Sequence, residues 1–169
     1  MRDSKAIIYC DSDGVLVDFY AAALHVLGYP WQQGSHNRAV QGEKLNKYPR
    51  FWATSPPMHD YKVLWDFIAK YAPHILTAVP GDPWKFSFHD VEKGKREWYS
   101  KHIPSLPANR IHVVYREDKA QYATNGSTRN ILIDDHEKNC EEFTAAGGIG
   151  ILHHNARATI IQLKSLGYH

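Results

Sequence analysis

Apolar positions along the chain fall into short continuous runs that alternate with segments of helical spacing. Residues 6–10 (AIIYC) form a β-prone run, and 18–28 (DFYAAALHVLG) carries the Ala and Leu content of a helix stopped by glycine. Between 60 and 72, Val63, Leu64, Phe67, Ile68 and Tyr71 recur at helical spacing; Pro73 ends that helix and 74–77 supplies a short strand. Helix signals return at 90–102, strand signals at 110–115 and 130–133, and a helix near 137–146 is stopped by Gly147 and Gly148. A strand at 149–152 and a helix near 156–166 complete the pattern. Residues 29–58 differ: Pro30, Pro49, Pro56 and Pro57 break long elements, yet Trp31, Tyr48, Phe51 and Trp52 are too aromatic for a flexible linker. This stretch reads as an irregular, partly helical subdomain.

Five β-rich runs separated by helices, several of them apolar throughout, predict an α/β fold with a doubly wound parallel sheet covered on both faces. Ligands in such folds collect beyond the carboxyl ends of the strands. No GxGxxG follows the first run and no GxxxxGK[ST] occurs, which disfavours a dinucleotide site and a P-loop. The length of 169 residues, 43% hydrophobic and 22% charged, suits one compact domain. A net charge of +2 offers no dedicated DNA-wrapping surface. Eleven histidines occur without HExxH, and Cys10 and Cys140 form no CxxC, so two reduced thiols in a cytoplasmic protein are expected, without structural zinc. The short first apolar run, followed at once by acids, reads as a strand and not as a signal peptide, and no run approaches the length of a membrane span.

The predicted strand ends collect chemistry. Asp11-Ser12-Asp13-Gly14-Val15 follows the first strand, Thr77 ends the second, 116–119 (REDK) follows the third and Asp134-Asp135 the fourth. Acids often cap helices and turns singly. Gathered in one cleft they repel unless a cation, with Lys119, compensates, and hard oxygen ligands suit Mg²⁺. Gly14 permits the turn that aims Asp11 and Asp13 at one centre. Such a set can transfer a phosphoryl group: one carboxylate attacks phosphorus, a cation and lysine neutralise its oxygens, and a second acid handles the leaving-group proton.

The segment 11–18 (DSDGVLVD), followed in order by Thr77, Lys119 and Asp134-Asp135, resembles the motif series of the haloacid dehalogenase (HAD) superfamily over almost the whole chain. Within it, DGVLVDF, REDK and ILIDD are similar to the 5'(3')-deoxyribonucleotidases and their small bacterial and phage relatives. The resemblance implies a HAD-like core at 1–18 and 74–169, a small mostly helical cap at 19–73, and Mg²⁺-dependent hydrolysis of nucleoside monophosphates. It implies Asp11 as nucleophile forming an aspartyl-phosphate, and Asp13 as proton donor and then base. Mg²⁺ would be held by Asp11, Asp135 and the Asp13 carbonyl, with Asp134 in support. Thr77 and the Ala78 amide would hold a phosphoryl oxygen, and Lys119 would clamp the phosphate and orient Asp11.

The chain departs from that family at Ala78, where serine is usual, and at His136, where arginine is usual, which loosens the substrate assignment. Lys95, in GKREW, is another candidate for the third-motif lysine, but it lies inside a predicted helix and before the third strand, so it is expected at the solvent surface. In the insert, Phe19 is the first candidate for contact with a base and Trp52 another, while Arg38, Lys44, Lys47 and Arg50 suit a phosphate. An alternative substrate is another small phosphate ester or a nucleic-acid 3'-phosphate. A silent scaffold protein would tend to lack Asp11 and Asp13, and both are present.

Overall fold

A computed structural model describes residues 5–31 and 37–169. The chain runs β1 (Ile8–Cys10), α1 (Phe19–Leu27), α2 (Arg38–Lys47), α3 (Phe51–Thr54), α4 (Tyr61–Ile68), β2 (His74–Val79), α5 (Phe88–His102) and β3 (Ile111–Tyr115). After a 3₁₀ segment, Arg116–Tyr122, come β4 (Thr124–Asn125), β5 (Thr128–Arg129), β6 (Ile131–Asp134), α6 (Glu137–Ala145), β7 (Ile149–Leu152) and α7 (Ala156–Ser165). The central sheet has five parallel strands in the order β3-β2-β1-β6-β7. The expected α/β architecture is present: a HAD-like doubly wound sheet with a cap helix, α1, directly after β1.

Alternation on the strands explains why their sequences read as unbroken apolar runs. Ile8, Cys10, Ile131 and Ile133 point into one core with Leu64, Ile68, Trp98 and Leu163, whereas Tyr9, Leu76 and Leu132 point to the opposite face, against Ala123 and Phe143. Both faces are covered, so neither has a polar side. A third cluster, built on Phe19, Leu27, Leu45, Phe51 and Trp52, joins α1, α2 and α3 to Val79 and Val91 of the body.

Two details differ from the sequence reading. The segment 19–73 is shared between lid and body, because α4 buries Leu64, Trp65 and Ile68 in the main core while α1 to α3 pack in the aromatic cluster. A β4–β5 hairpin sits between the 3₁₀ segment and β6, turning at Gly126-Ser127 with Gly126 at φ 62. A glycine at the first turn position is a hairpin signal, masked here by strands of only two residues. Among the described residues no helix is long and apolar enough to cross a membrane.

The order of the sheet places the site. From β1 the chain winds outward through β2 to β3, then returns to β6 on the other side of β1. Strand order reverses between β1 and β6, and the crevice beyond their carboxyl ends is where this architecture opens to ligands. Asp11 and Asp13 follow β1, Asp134 ends β6 and Asp135 comes directly after it.

Candidate active site

The loop after β1 is a tight turn. Val15, Leu16 and Val17 donate backbone hydrogen bonds to the Ser12 carbonyl at 3.1, 2.8 and 2.9 Å, and the Asp11 N–H remains tied to the Ile133 carbonyl at 2.9 Å. Ser12 also shares a hydrogen bond with the buried Tyr99 hydroxyl. Gly14 adopts φ +80, and a Cβ there would lie 2.0 Å from Asp135 Oδ2. Glycine is required twice over: for the left-handed backbone and for the space that the Asp135 carboxylate fills. Asp18, the last acid of the segment, caps α1 by accepting from the Ala21 N–H at 3.0 Å, a structural task.

One carboxylate oxygen from each of Asp11, Asp134 and Asp135 lies within 4.8 Å of the others. Buried Lys119, delivered by the 3₁₀ segment after β3, bridges two of them, at 3.0 Å from Asp11 Oδ1 and 2.6 Å from Asp134 Oδ2. The Asp134 carboxylate is fully engaged, since it also accepts from the His136 N–H at 2.9 Å and from Asn139 Nδ2 at 3.1 and 3.0 Å. Asp135 is half-buried, and among the described residues the one side chain that bonds its carboxylate is Tyr20, whose hydroxyl makes a long contact at 3.4 Å. Of the adjacent pair, Asp135 is therefore free to bind something else, and Asp134 anchors Lys119.

Electrostatics agree with that division. Burial, with the charges of Asp134, Asp135 and Asp13 outweighing the pull of Lys119, raises the Asp11 carboxyl to about 8. Burial, then Asp134 and Asp13, raises Asp135 to about 7. Burial opposes the charge on Lys119, but Asp11 and Asp134 overcome it and hold the ammonium above its ordinary value. Three carboxylates against one ammonium leave an excess of negative charge at a largely buried site. A divalent cation among the three oxygens relieves it, and the all-oxygen donor set fits Mg²⁺. The cluster is thus capable of coordinating a divalent metal.

The other side of the turn is built differently. Asp13 is absent from the three-carboxylate cluster; its Oδ2 lies 2.6 Å from Lys95 Nζ, which also donates to Thr77 Oγ1 at 2.8 Å. Contrary to the expectation of a surface lysine, Lys95 is 3% exposed and lies 5.0 Å from the centre of the Trp52 ring. The signal was present in the sequence: on α5 the buried positions are Val91, Lys95, Trp98 and Tyr99, so the lysine occupies an apolar helical stripe.

A cavity of about 300 Å³ opens over Asp11, Asp13, Lys119 and Asp135, and Phe19, Ala78, Trp31 and Trp84 also line it. Trp31 and Trp84 stack with centroids 5.3 Å apart, and the Trp84 indole N–H is buried without a hydrogen-bond partner among the described residues. Trp52 lies behind this wall, stacked on Phe19 at 5.7 Å and packed against Phe51 and Phe86. It lines a separate groove of about 470 Å³ between α3 and α5 that contains none of the three clustered aspartates. Of the insert cations, Lys47 pairs with Glu43 at 2.6 Å and Arg50 with Glu97 at 3.1 Å, while Arg38 lies 5.1 Å over Trp84 at the cavity wall. His153 is buried behind β7 and shares a hydrogen bond with Thr159 at 2.8 Å, a packing role.

Strand order, the helix after β1 and the aspartate cluster at the carboxyl edge define a HAD-like Rossmannoid fold with a candidate metal site. No protein-family model matches the chain, and no curated protein matches it in sequence. Among solved structures it is similar to a hydrolase from Streptococcus pneumoniae TIGR4, with a TM-score of 0.50 and 15% identity across 96% of this chain and 98% of that one. At that identity the likeness is one of fold. The clustered carboxylates, buried lysine and open crevice are together consistent with general phosphoester hydrolysis of the HAD type.

Proposed function

We propose that the protein is a Mg²⁺-dependent phosphomonoesterase acting on nucleoside monophosphates through a phosphorylated Asp11. The observation that carries this reading is the division of labour around one turn: Asp11 and Asp135 converge with Lys119, while Asp13 stands apart beside Thr77. Asp11 and Asp135, with the Asp13 carbonyl, would hold the metal, which when bound supplies charge neutralisation at the transferred phosphoryl group. Lys119 keeps Asp11 oriented and adds positive charge beside it.

An Asp11 carboxylate oxygen bonds to phosphorus as the ester P–O bond breaks, and the leaving oxygen takes a proton from Asp13. Water then gives a proton to Asp13 and attacks phosphorus, and the Asp11–phosphorus bond breaks to release phosphate. Thr77, fully buried behind the cavity wall, accepts a hydrogen bond from Lys95, and the Ala78 amide beside it, at the cavity, would hold a phosphoryl oxygen.

The aromatic wall supports a nucleoside as the alcohol part. Phe19, Trp31 and Trp84 face the cavity, so stacking falls to them, and Trp52 backs Phe19 instead of meeting substrate. The test is phosphate release with Mg²⁺ across ribo- and deoxyribonucleoside 5'- and 3'-monophosphates, sugar phosphates and 3'-phosphorylated oligonucleotides. Turnover should favour the mononucleotides. Preference for sugar phosphates alone would defeat the nucleotide assignment, and preference for oligonucleotide ends would move the substrate to nucleic acid.

A further inference from the structure

Lys95 makes two hydrogen bonds, at 2.6 and 2.8 Å, is 3% exposed and lies beneath an aromatic ring. An ammonium has three N–H donors; here Asp13 and Thr77 take two, and the Trp52 ring lies within cation–π distance. Burying such a group without partners would be costly, so this pairing is what allows Lys95 to sit inside α5's apolar stripe. Gly94, next to it, is pressed so closely to α3 that a Cβ would lie 2.6 Å from Trp52 Cβ, which fixes the depth at which α5 seats.

We propose that Lys95 is a positioning residue for phosphoester hydrolysis, holding the Asp13 carboxylate toward Thr77 and away from the three-aspartate metal cluster, so that it meets the ester oxygen and not the cation. The inference rests on the hydrolase reading above. Lys95 binds Oδ2 of Asp13, and no hydrogen bond engages Oδ1 among the described residues, which leaves that oxygen to exchange a proton with the leaving group. The same ammonium donates to the buried Thr77 Oγ1, which ties Lys95 to β2 and fixes where it presents its charge to Asp13. Without it, Asp13 is free to swing toward the cluster and compete for the cation. The lysine itself does not line the cavity, so it acts through Asp13 and Thr77 and not on the substrate.

The experiment uses the full chain with Mg²⁺ and two esters: an alkyl phosphate, whose alkoxide needs a proton to leave, and p-nitrophenyl phosphate, whose phenolate leaves without one. Pre-steady-state alcohol release is measured for wild type, Lys95→Met and Lys95→Gln. Both variants should release alkyl alcohol about 30-fold or more slowly, release nitrophenolate within about 3-fold of wild type, and keep KM within about 3-fold. A merely structural lysine would slow both esters alike, and a substrate ligand would raise KM at unchanged kcat; either result overturns the assignment. If Lys95→Met does not fold, Lys95→Gln alone decides by the same ratio. A wild type inert toward both esters overturns the hydrolase reading and this inference with it, whereas an active wild type with equal losses in the variants overturns the inference alone.

Discussion

The two sides of the β1 turn are made of the same residue types in opposite proportions. On the β6 side, Asp11, Asp134 and Asp135 share Lys119; on the β2 side, Asp13 has Lys95 to itself. The first side carries surplus negative charge and the second is balanced. A surplus in a buried crevice is unstable until a cation arrives, and a balanced pair holds its geometry without one. The contrast teaches that carboxylate count alone does not mark a metal site. What separates the sides is whether the local lysine exhausts the local charge.

Removing the surplus at its centre should have the largest effect. Asp11→Asn is expected to lower phosphate release by about 10⁴-fold or more, since the amide keeps the shape but not the nucleophile. The same variant should raise the melting temperature of the metal-free protein by about 2 °C or more at pH 8. The sign follows from the raised Asp11 carboxyl: ionising it costs stability as pH climbs from the ordinary carboxylate range through about 8, and asparagine removes that cost. Calorimetry with and without Mg²⁺ checks it; a melting temperature that falls in the metal-free variant would show that the β6 side is not strained by its own charge.

Asp135→Asn comes next and should weaken Mg²⁺ by about 100-fold in a binding titration, because its carboxylate, unlike those of Asp11 and Asp134, has no lysine in salt-bridge distance among the described residues. An unchanged affinity would transfer the ligand role to Asp134 and break the comparison. Mg²⁺ affinity in the wild type should also rise with pH between about 6 and 8. With Asp135 near 7 and Asp11 near 8, the cation must displace protons, at up to about tenfold per pH unit for each proton released. Calorimetric titration in buffers of different ionisation enthalpy reads that release directly, and a pH-independent affinity would contradict the surplus-charge account. Gly14→Ala should give the smallest change of these, about tenfold in Mg²⁺ affinity, by pushing on Asp135 without altering any charge.

Most of the β6 side was legible in the sequence, because strand ends announce themselves: apolar runs stop at Asp11 and Asp134, and Gly14 marks the turn. Which of Asp134 and Asp135 is free was not legible, since it depends on Asn139 reaching back from α6 and on Lys119 arriving from the 3₁₀ segment after β3. The β2 side was half legible. Thr77 reads as a strand end but lies inside β2, which runs on to Val79, and Lys95 is placed by helix periodicity, where a charged residue in an apolar stripe reads as an exception until its partners are seen. In the lid, composition marked an aromatic cluster without telling which ring faces inward. Phe19 lines the cavity and Trp52 does not, a difference set by how α3 leans on α5. The α4 helix was recognisable from its stripe, yet its partner, the main core with α7, follows only from the fold.

The surplus on the β6 side makes one claim above all, that this chain hydrolyses phosphate esters only with a divalent cation in place. Phosphate release from a nucleoside monophosphate should be measured on the wild type before chelation, after chelation, and after Mg²⁺ is restored. Turnover should vanish on chelation and return with the metal; turnover that persists in the metal-free protein would contradict the account.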